Sequence, residues 1–200
     1  VRGVSDATPM LEAAEVIVIG PGLGRDAWGQ GLMQAALDSG KPLVIDADGL
    51  NLLVERWPEL HRDDWLLTPH PGEAAHLLGI SGSEVQADRL AASRALKARR
   101  GGTHVLKGAG SLIAGPQGIG VCPYGNPGMA SGGMGDVLSG ILGALVAQGL
   151  TLESAARVGT LLHACAADQA ASVYGERGLL AGDLACYARI LANGRPTTRR

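Results

Sequence analysis

The chain predicts an α/β fold, a mostly parallel sheet with helices on both faces, and three observations lead there. Apolar runs of strand length alternate with helical segments, a pattern that right-handed crossovers turn into a parallel sheet. Val, Leu and Ile are abundant within a 46% hydrophobic composition, which excludes low-complexity disorder. There are 31 glycines among 200 residues, as tight strand-to-helix turns and ligand loops require.

Taken in order, Glu15–Gly20 reads as a buried strand and Asp26–Ser39 as a helix closed by Gly40. Pro42–Ile45 is the next strand and Gly49–Glu55 a short helix. Trp65–Thr68 is a strand, followed by helices near Gly72–Leu78 and Ser83–Arg99. Thr103–Lys107 is a strand, and Ser111–Ala114 pairs with Gly118–Cys122 in a hairpin across Gly115-Pro116-Gln117. Helices at Asp136–Gly149, Leu152–Tyr174 and Gly182–Ala192 close the chain. No repeat or linker interrupts it, so 1–194 reads as one domain and 195–200 as a disordered tail.

The net charge of −2 and pI near 6.2 argue against nucleic acid or an anionic membrane as partner. No run approaches the roughly 18 apolar residues of a membrane span, and no basic segment leads into an apolar stretch as in a secretory signal. Cys122, Cys165 and Cys186 are odd in number, lack a CxxC pair, and fit a reducing cytoplasm. The chain opens on Val rather than Met, which points to material upstream.

The chemistry concentrates in Gly125-Asn126-Pro127-Gly128-Met129-Ala130-Ser131-Gly132-Gly133-Met134-Gly135-Asp136, which runs into the apolar segment Val137–Gly149. A glycine-rich loop opening a helix offers unpaired N–H groups and the positive end of the helix dipole to an anion. A carboxylate is repelled by phosphate, but Asp136 stands well to take a proton from a hydroxyl attacking it. The plainer reading makes Asp136 an N-cap. Five glycines in twelve residues exceed what a cap needs, so phosphoryl transfer to an alcohol is the expectation.

Ligands bind beyond the carboxyl ends of strands in open parallel sheets, and four further clusters fall there. Gly20-Pro21-Gly22-Leu23-Gly24 lacks the spacing of the dinucleotide fingerprint and suits close backbone approach to a ligand. Asp46 and Asp48 stand two apart and would point the same way. They could bind magnesium through water or a ligand hydroxyl, and capping is the expectation for Asp48. His70, between two prolines, is a binding candidate, and Glu73 either orients magnesium-bound water or caps the following helix. Lys107 is a solvated strand-end lysine or, with Gly108, Ala109, Gly110 and Ser111, part of a loop wrapping a nucleotide. His61, His76, His104 and His163 read as surface or core residues. Ser131 and Ser139 lack the His and Asp that nucleophilic serine chemistry needs.

In order, GPGLG (20–24), DADGLN (46–51), TPHPGE (68–73), KGAGS (107–111) and NPGMASGGMGD (126–136) resemble the ribokinase-like superfamily. More closely they resemble the ADP-dependent NAD(P)H-hydrate dehydratase family, the carboxy-terminal part of bifunctional repair enzymes. The resemblance implies a ribokinase-like three-layer sandwich and a repair reaction. The S-form of hydrated NADH or NADPH would be phosphorylated by ADP at the ring hydroxyl, and phosphate would then leave, giving NAD(P)H and AMP.

It further implies Asp136 as base and substrate contact, and Gly132, Gly133, Met134 and Gly135 as an anion hole. Lys107–Ser111 with Gly135 would hold the nucleotide, and Gly24 and His70 the hydrated substrate. Glu73 would reach Mg2+ through water. A homo-oligomer is implied as well. Family domains carry further strands before GPGLG, so this chain is expected to lack its amino-terminal part, and an epimerase domain upstream is expected in a bifunctional form. The competing readings are a ribokinase-like kinase of a thiazole or hydroxymethylpyrimidine alcohol, and a non-catalytic nucleotide sensor. His70 where those kinases commonly carry Asn favours the dehydratase, and the presence of Asp136 opposes the sensor.

Overall fold

Strands β1 (Ile17–Ile19), β2 (Leu43–Ile45), β3 (Trp65–Leu67), β4 (Thr103–Leu106), β5 (Ser111–Gly115) and β6 (Gly118–Cys122) form one sheet in that spatial order. The first four are mutually parallel and β4-β5-β6 antiparallel. These are the features of a computed structural model that describes residues 7–194, so the tail expected at 195–200 lies outside the described residues.

Because β1 to β4 lie side by side in chain order, right-handed crossovers must put every connecting helix on the same face. That face carries α2 (Ala27–Asp38), α3 (Asp48–Arg56), α4 (Pro71–Leu78), α5 (Gly82–Ala87) and α6 (Arg89–Arg100). Their Met33, Leu37, Leu50, Leu53, Leu77 and Leu96 pack on Leu43, Ile45, Trp65, Leu67 and Leu106. The alternate strand residues Val44, Leu66, Val105 and Ile113 turn to the other face, onto Leu138 and Leu142 of α7 (Met134–Ala147) and Ala156 and Ala164 of α8 (Leu152–Tyr174). The short α9 (Leu184–Ala192) packs outside, on the Ala166, Ala167 and Ala170 stripe of α8. The sandwich therefore has three layers.

Four local differences from expectation have physical causes. The expected helix Ser83–Arg99 is two helices, because Asp88 turns out of helical geometry to close α5 and accepts the Ala91 N–H to start α6. The expected helix Gly182–Ala192 begins as a 3₁₀ turn at Ala181–Asp183. The Thr8–Ala13 helix, α1, buries no side chain, and so leaves no periodic apolar signal. The helix expected from Asp136 starts at Met134, since Gly133 at φ +85° is the N-cap, and Asp136 falls in its first turn. No helix among the described residues is long and apolar enough to cross a membrane.

His104 is fully buried in β4, its Nε2 2.6 Å from the Gly101 carbonyl, which fixes the proton on that nitrogen. Burial pushes it down to about 4, the Gly101 carbonyl opposing. His163 on α8 is held down to about 4 by burial, with the Met134 carbonyl opposing and Lys107 adding to the effect. Both fold neutral and would charge when unfolded, near 6.5. Their contribution is therefore complete above about pH 6.5 and lost as pH falls toward 4, on the order of 3 kcal/mol each at most. Urea midpoints between pH 7.5 and 4.5 should drop accordingly, and less steeply in His104→Gln. A flat midpoint over that range contradicts the buried neutral assignment.

Candidate active site

The parallel register sets the ends of β1 to β4 beside one another, and each is followed by one of the polar loops. At the first, Gly20 has φ +127°, and a side chain there would collide with the Asp46 carbonyl oxygen. Only glycine lets the first two loops touch. Gly24 is tied to the second loop, its N–H donating to Asp48 Oδ2 at 2.9 Å. Asp48 thus does not cap its own helix. The N-cap of α3 is Ala47, at φ +49°, the one non-glycine residue with positive φ among those described.

Asp46 is the hub of the site. The residue is 1% exposed, and its carboxylate accepts from Lys107 Nζ at 2.7 Å, Ser139 Oγ at 2.9 Å and the Ala47 N–H at 2.9 Å. Lys107 is therefore no solvated strand-end lysine. It lies over a buried carboxylate, 3.8 Å from Glu73 Oε2. A methyl group added to Gly135 would stand 3.2 Å from Asp46 Oδ2 and 3.3 Å from Lys107 Nζ, so the first turn of α7 rests directly on this pair.

On the third loop His70 caps α4. Its Nδ1 accepts from the Gly72 and Glu73 N–H groups at 3.0 and 3.2 Å, and Glu73 Oε2 accepts the His70 N–H at 2.7 Å. This reciprocal cap places the imidazole hydrogen on Nε2, on an exposed ring edge 3.5 Å from Glu73 Oε1. Of the two roles open to Glu73, capping is thus realised. No three His, Cys, Asp or Glu side chains among the described residues converge as a metal cage.

The fifth loop is bracketed from behind. Asp168 of α8 accepts from the Gly125 N–H and Asn126 Nδ2, both at 2.9 Å, and Ser131 Oγ donates to the Leu179 carbonyl. The N–H groups of Gly132, Gly133, Met134 and Gly135 have no bonding partner among the described residues. Asp136 is exposed on the same turn and makes no hydrogen bond or ion pair with them. Open amides, a lysine held beneath them and a free carboxylate beside them can bind a phosphoryl group and accept a hydroxyl proton.

The structure thus brings Gly24, His70, Glu73, Lys107, Gly135 and Asp136 to one edge of the sheet. Sequence reasoning missed Ser139 and Asp168 as supports of the site. Ser139 sits one helical turn after Asp136 on an otherwise apolar helix, a signal that could have singled it out.

A three-layer sandwich with a glycine-rich helix start at this edge of the sheet places the chain with proteins of the ribokinase-like superfamily. The chain is similar to such a protein from Enterococcus faecalis, at 30% identity and a TM-score of 0.72 over 92% of this chain and 67% of that one. It belongs to the NAD(P)H-hydrate dehydratase family, whose profile matches residues 2–189. The bifunctional NAD(P)H-hydrate repair enzyme of Coxiella burnetii is 55% identical over 96% of the chain, and this chain spans 39% of that protein's length. The ADP-dependent (S)-NAD(P)H-hydrate dehydratase of Neisseria meningitidis is 46% identical over 90% of the chain and 63% of its own length. The Bacillus subtilis ADP/ATP-dependent NAD(P)H-hydrate dehydratase, co-crystallized with ATP and Mg2+, matches at a TM-score of 0.76 and 28% identity, over 88% of this chain and 62% of that one.

Proposed function

We propose that the chain is the ADP-dependent dehydratase acting on the S-form of hydrated NADH and NADPH. The observation that carries this reading is Asp136, a carboxylate without a partner among the described residues, on the same helical turn as the open amides of Gly133 to Gly135. The ring hydroxyl gives its proton to Asp136 and its oxygen attacks the β-phosphorus of ADP. The bond to the AMP oxygen breaks as charge develops against the Gly132–Gly135 amides and Lys107. The C–O bond then breaks, phosphate departs and a neighbouring ring carbon loses a proton, which restores the double bond. No oxidant is consumed.

In this reading the Lys107–Ser111 loop and Gly135 hold ADP, and Gly24 and the exposed edge of His70 face the hydrated nicotinamide. Among the described residues the acidic side chains do not build a cage for Mg2+. The ion would travel with the nucleotide, Glu73 meeting it through water, and no step above runs through it. A homo-oligomer, a cytoplasmic location and an epimerase domain upstream in the longer protein belong to the same proposal. The 39% span of the bifunctional relative supports the last.

The test is recovery of reduced-nicotinamide absorbance from hydrated NADH on adding ADP and this chain. Recovery with equimolar AMP is expected. A stable phosphate ester formed on a thiazole or hydroxymethylpyrimidine alcohol, with no recovery from hydrated NADH, would replace the dehydratase by the kinase.

A further inference from the structure

The loop after β4 is folded around a residue outside every motif, Arg89, the first residue of α6. Its Nη1 donates to the Ala109 carbonyl at 2.5 Å, and its Nη2 to the carbonyls of Leu106 and Lys107 at 3.2 and 3.3 Å. The remaining carbonyl of the loop, Gly108, accepts from Ser111 Oγ at 3.2 Å. The carbonyls from Leu106 to Ala109 are thus all held by protein donors. Glycines make this possible: Gly108 and Gly110 lie at φ +145° and +66°, and a Cβ on Gly108 would stand 2.9 Å from Arg89 Nη2.

In a trans peptide unit the C=O of one residue and the N–H of the next point in opposite directions. With the carbonyls of Lys107, Gly108 and Ala109 drawn to Arg89 and Ser111, the N–H groups of Gly108, Ala109 and Gly110 point away from them. None makes a hydrogen bond within the described residues, whereas the Lys107 N–H is taken by the Pro69 carbonyl at 2.9 Å. Consecutive outward amides of this kind form an anion-binding concavity. The guanidinium behind it has no carboxylate at ion-pair distance among the described residues. Burial alone pushes its pKa down, with no anion opposing, yet guanidinium stays charged.

We propose that Arg89 is a positioning residue that turns the Gly108 and Gly110 amides outward, with Ser111 turning that of Ala109 between them, as a second row of donors for a nucleoside diphosphate, with the uncompensated Arg89 charge behind them. This rests on the nucleotide site proposed above and specifies how that site is built. It assigns Ser111 to the inside of the loop, where its hydroxyl pins Gly108. A lysine at position 89 would keep the charge but lose the planar fork that spans three carbonyls.

The test is ADP titration by calorimetry on the wild-type chain, Arg89→Lys and Arg89→Gln, with melting curves and steady-state kinetics. Wild type should bind ADP. Arg89→Gln should weaken binding by about 10-fold or more and Arg89→Lys by about 5-fold, the KM for ADP rising in step and kcat staying within about threefold. In Arg89→Ala, millimolar guanidinium, and not methylammonium, should restore part of the ADP affinity, a rescue that general destabilisation does not give. If Arg89→Gln fails to fold, Arg89→Lys, which keeps stem and charge, decides. A folded Arg89→Lys with wild-type affinity and wild-type KM for ADP overturns the proposal. Failure of the wild-type chain to bind ADP overturns instead the nucleotide site on which it rests.

Discussion

Asp136→Asn lowers turnover by roughly 10²–10⁴-fold while leaving the ADP dissociation constant within about threefold. The side chain is exposed, has no partner among the described residues and caps nothing, because Gly133 begins the helix. Losing its charge therefore disturbs no folded contact, and the melting temperature should stay close to wild type. What is lost is the acceptor for the hydroxyl proton. Single-turnover rates with ADP and hydrated NADH, beside calorimetric ADP binding, separate these effects. Unchanged turnover removes Asp136 from the role of base. A parallel loss of ADP affinity and thermal stability would assign it to the architecture of the loop instead.

Lys107→Ala is the second large effect, and it acts on stability and binding together. The variant leaves Asp46, 1% exposed, with Ser139 Oγ and one backbone N–H but no cation. A buried carboxylate stripped of its counter-charge destabilises by about 2–4 kcal/mol, discounted here because Lys107 keeps some exposure. ADP binding should weaken by about 10-fold or more, since the positive charge under Gly135 is gone. The double variant Asp46→Asn/Lys107→Met separates the two, regaining most of the stability while ADP affinity stays low. If the double variant regains affinity too, Lys107 acts only by satisfying Asp46. If Lys107→Ala changes neither quantity, the ion pair is idle.

Much of the fold is legible in the chain because its signals are local. Helix Leu152–Tyr174 is found end to end, and the hairpin at Ser111–Gly115 and Gly118–Cys122 nearly so. A capping Thr151, an apolar period of 3.6 and a two-residue turn are all short-range features. Helix α1 escapes for the opposite reason, since an amphipathic pattern exists only where one face is buried. The break at Asp88 is harder to see, because a residue of modest helix propensity inside a helical run is also compatible with one continuous helix.

At the site, the loops proposed to carry the chemistry are recognisable from the chain alone: glycines and charged residues after four strand ends, and a glycine-rich start to an apolar helix. Parallel strands in register bring those loops to one edge, so their convergence could be read before any coordinate. Which partner each charge takes is settled mostly by how the layers pack. Asp48 pairs with the Gly24 amide rather than capping α3, Glu73 closes a cap with His70, and Lys107 lies on Asp46. Arg89 enters the loop after β4 from a different helix. Apart from the Glu73–His70 cap, which is local, these pairings join residues 17 to 61 positions apart, where spacing holds no information and burial selects the partner. A charge removed from water must find the donor or counter-charge that the packed layers place within reach.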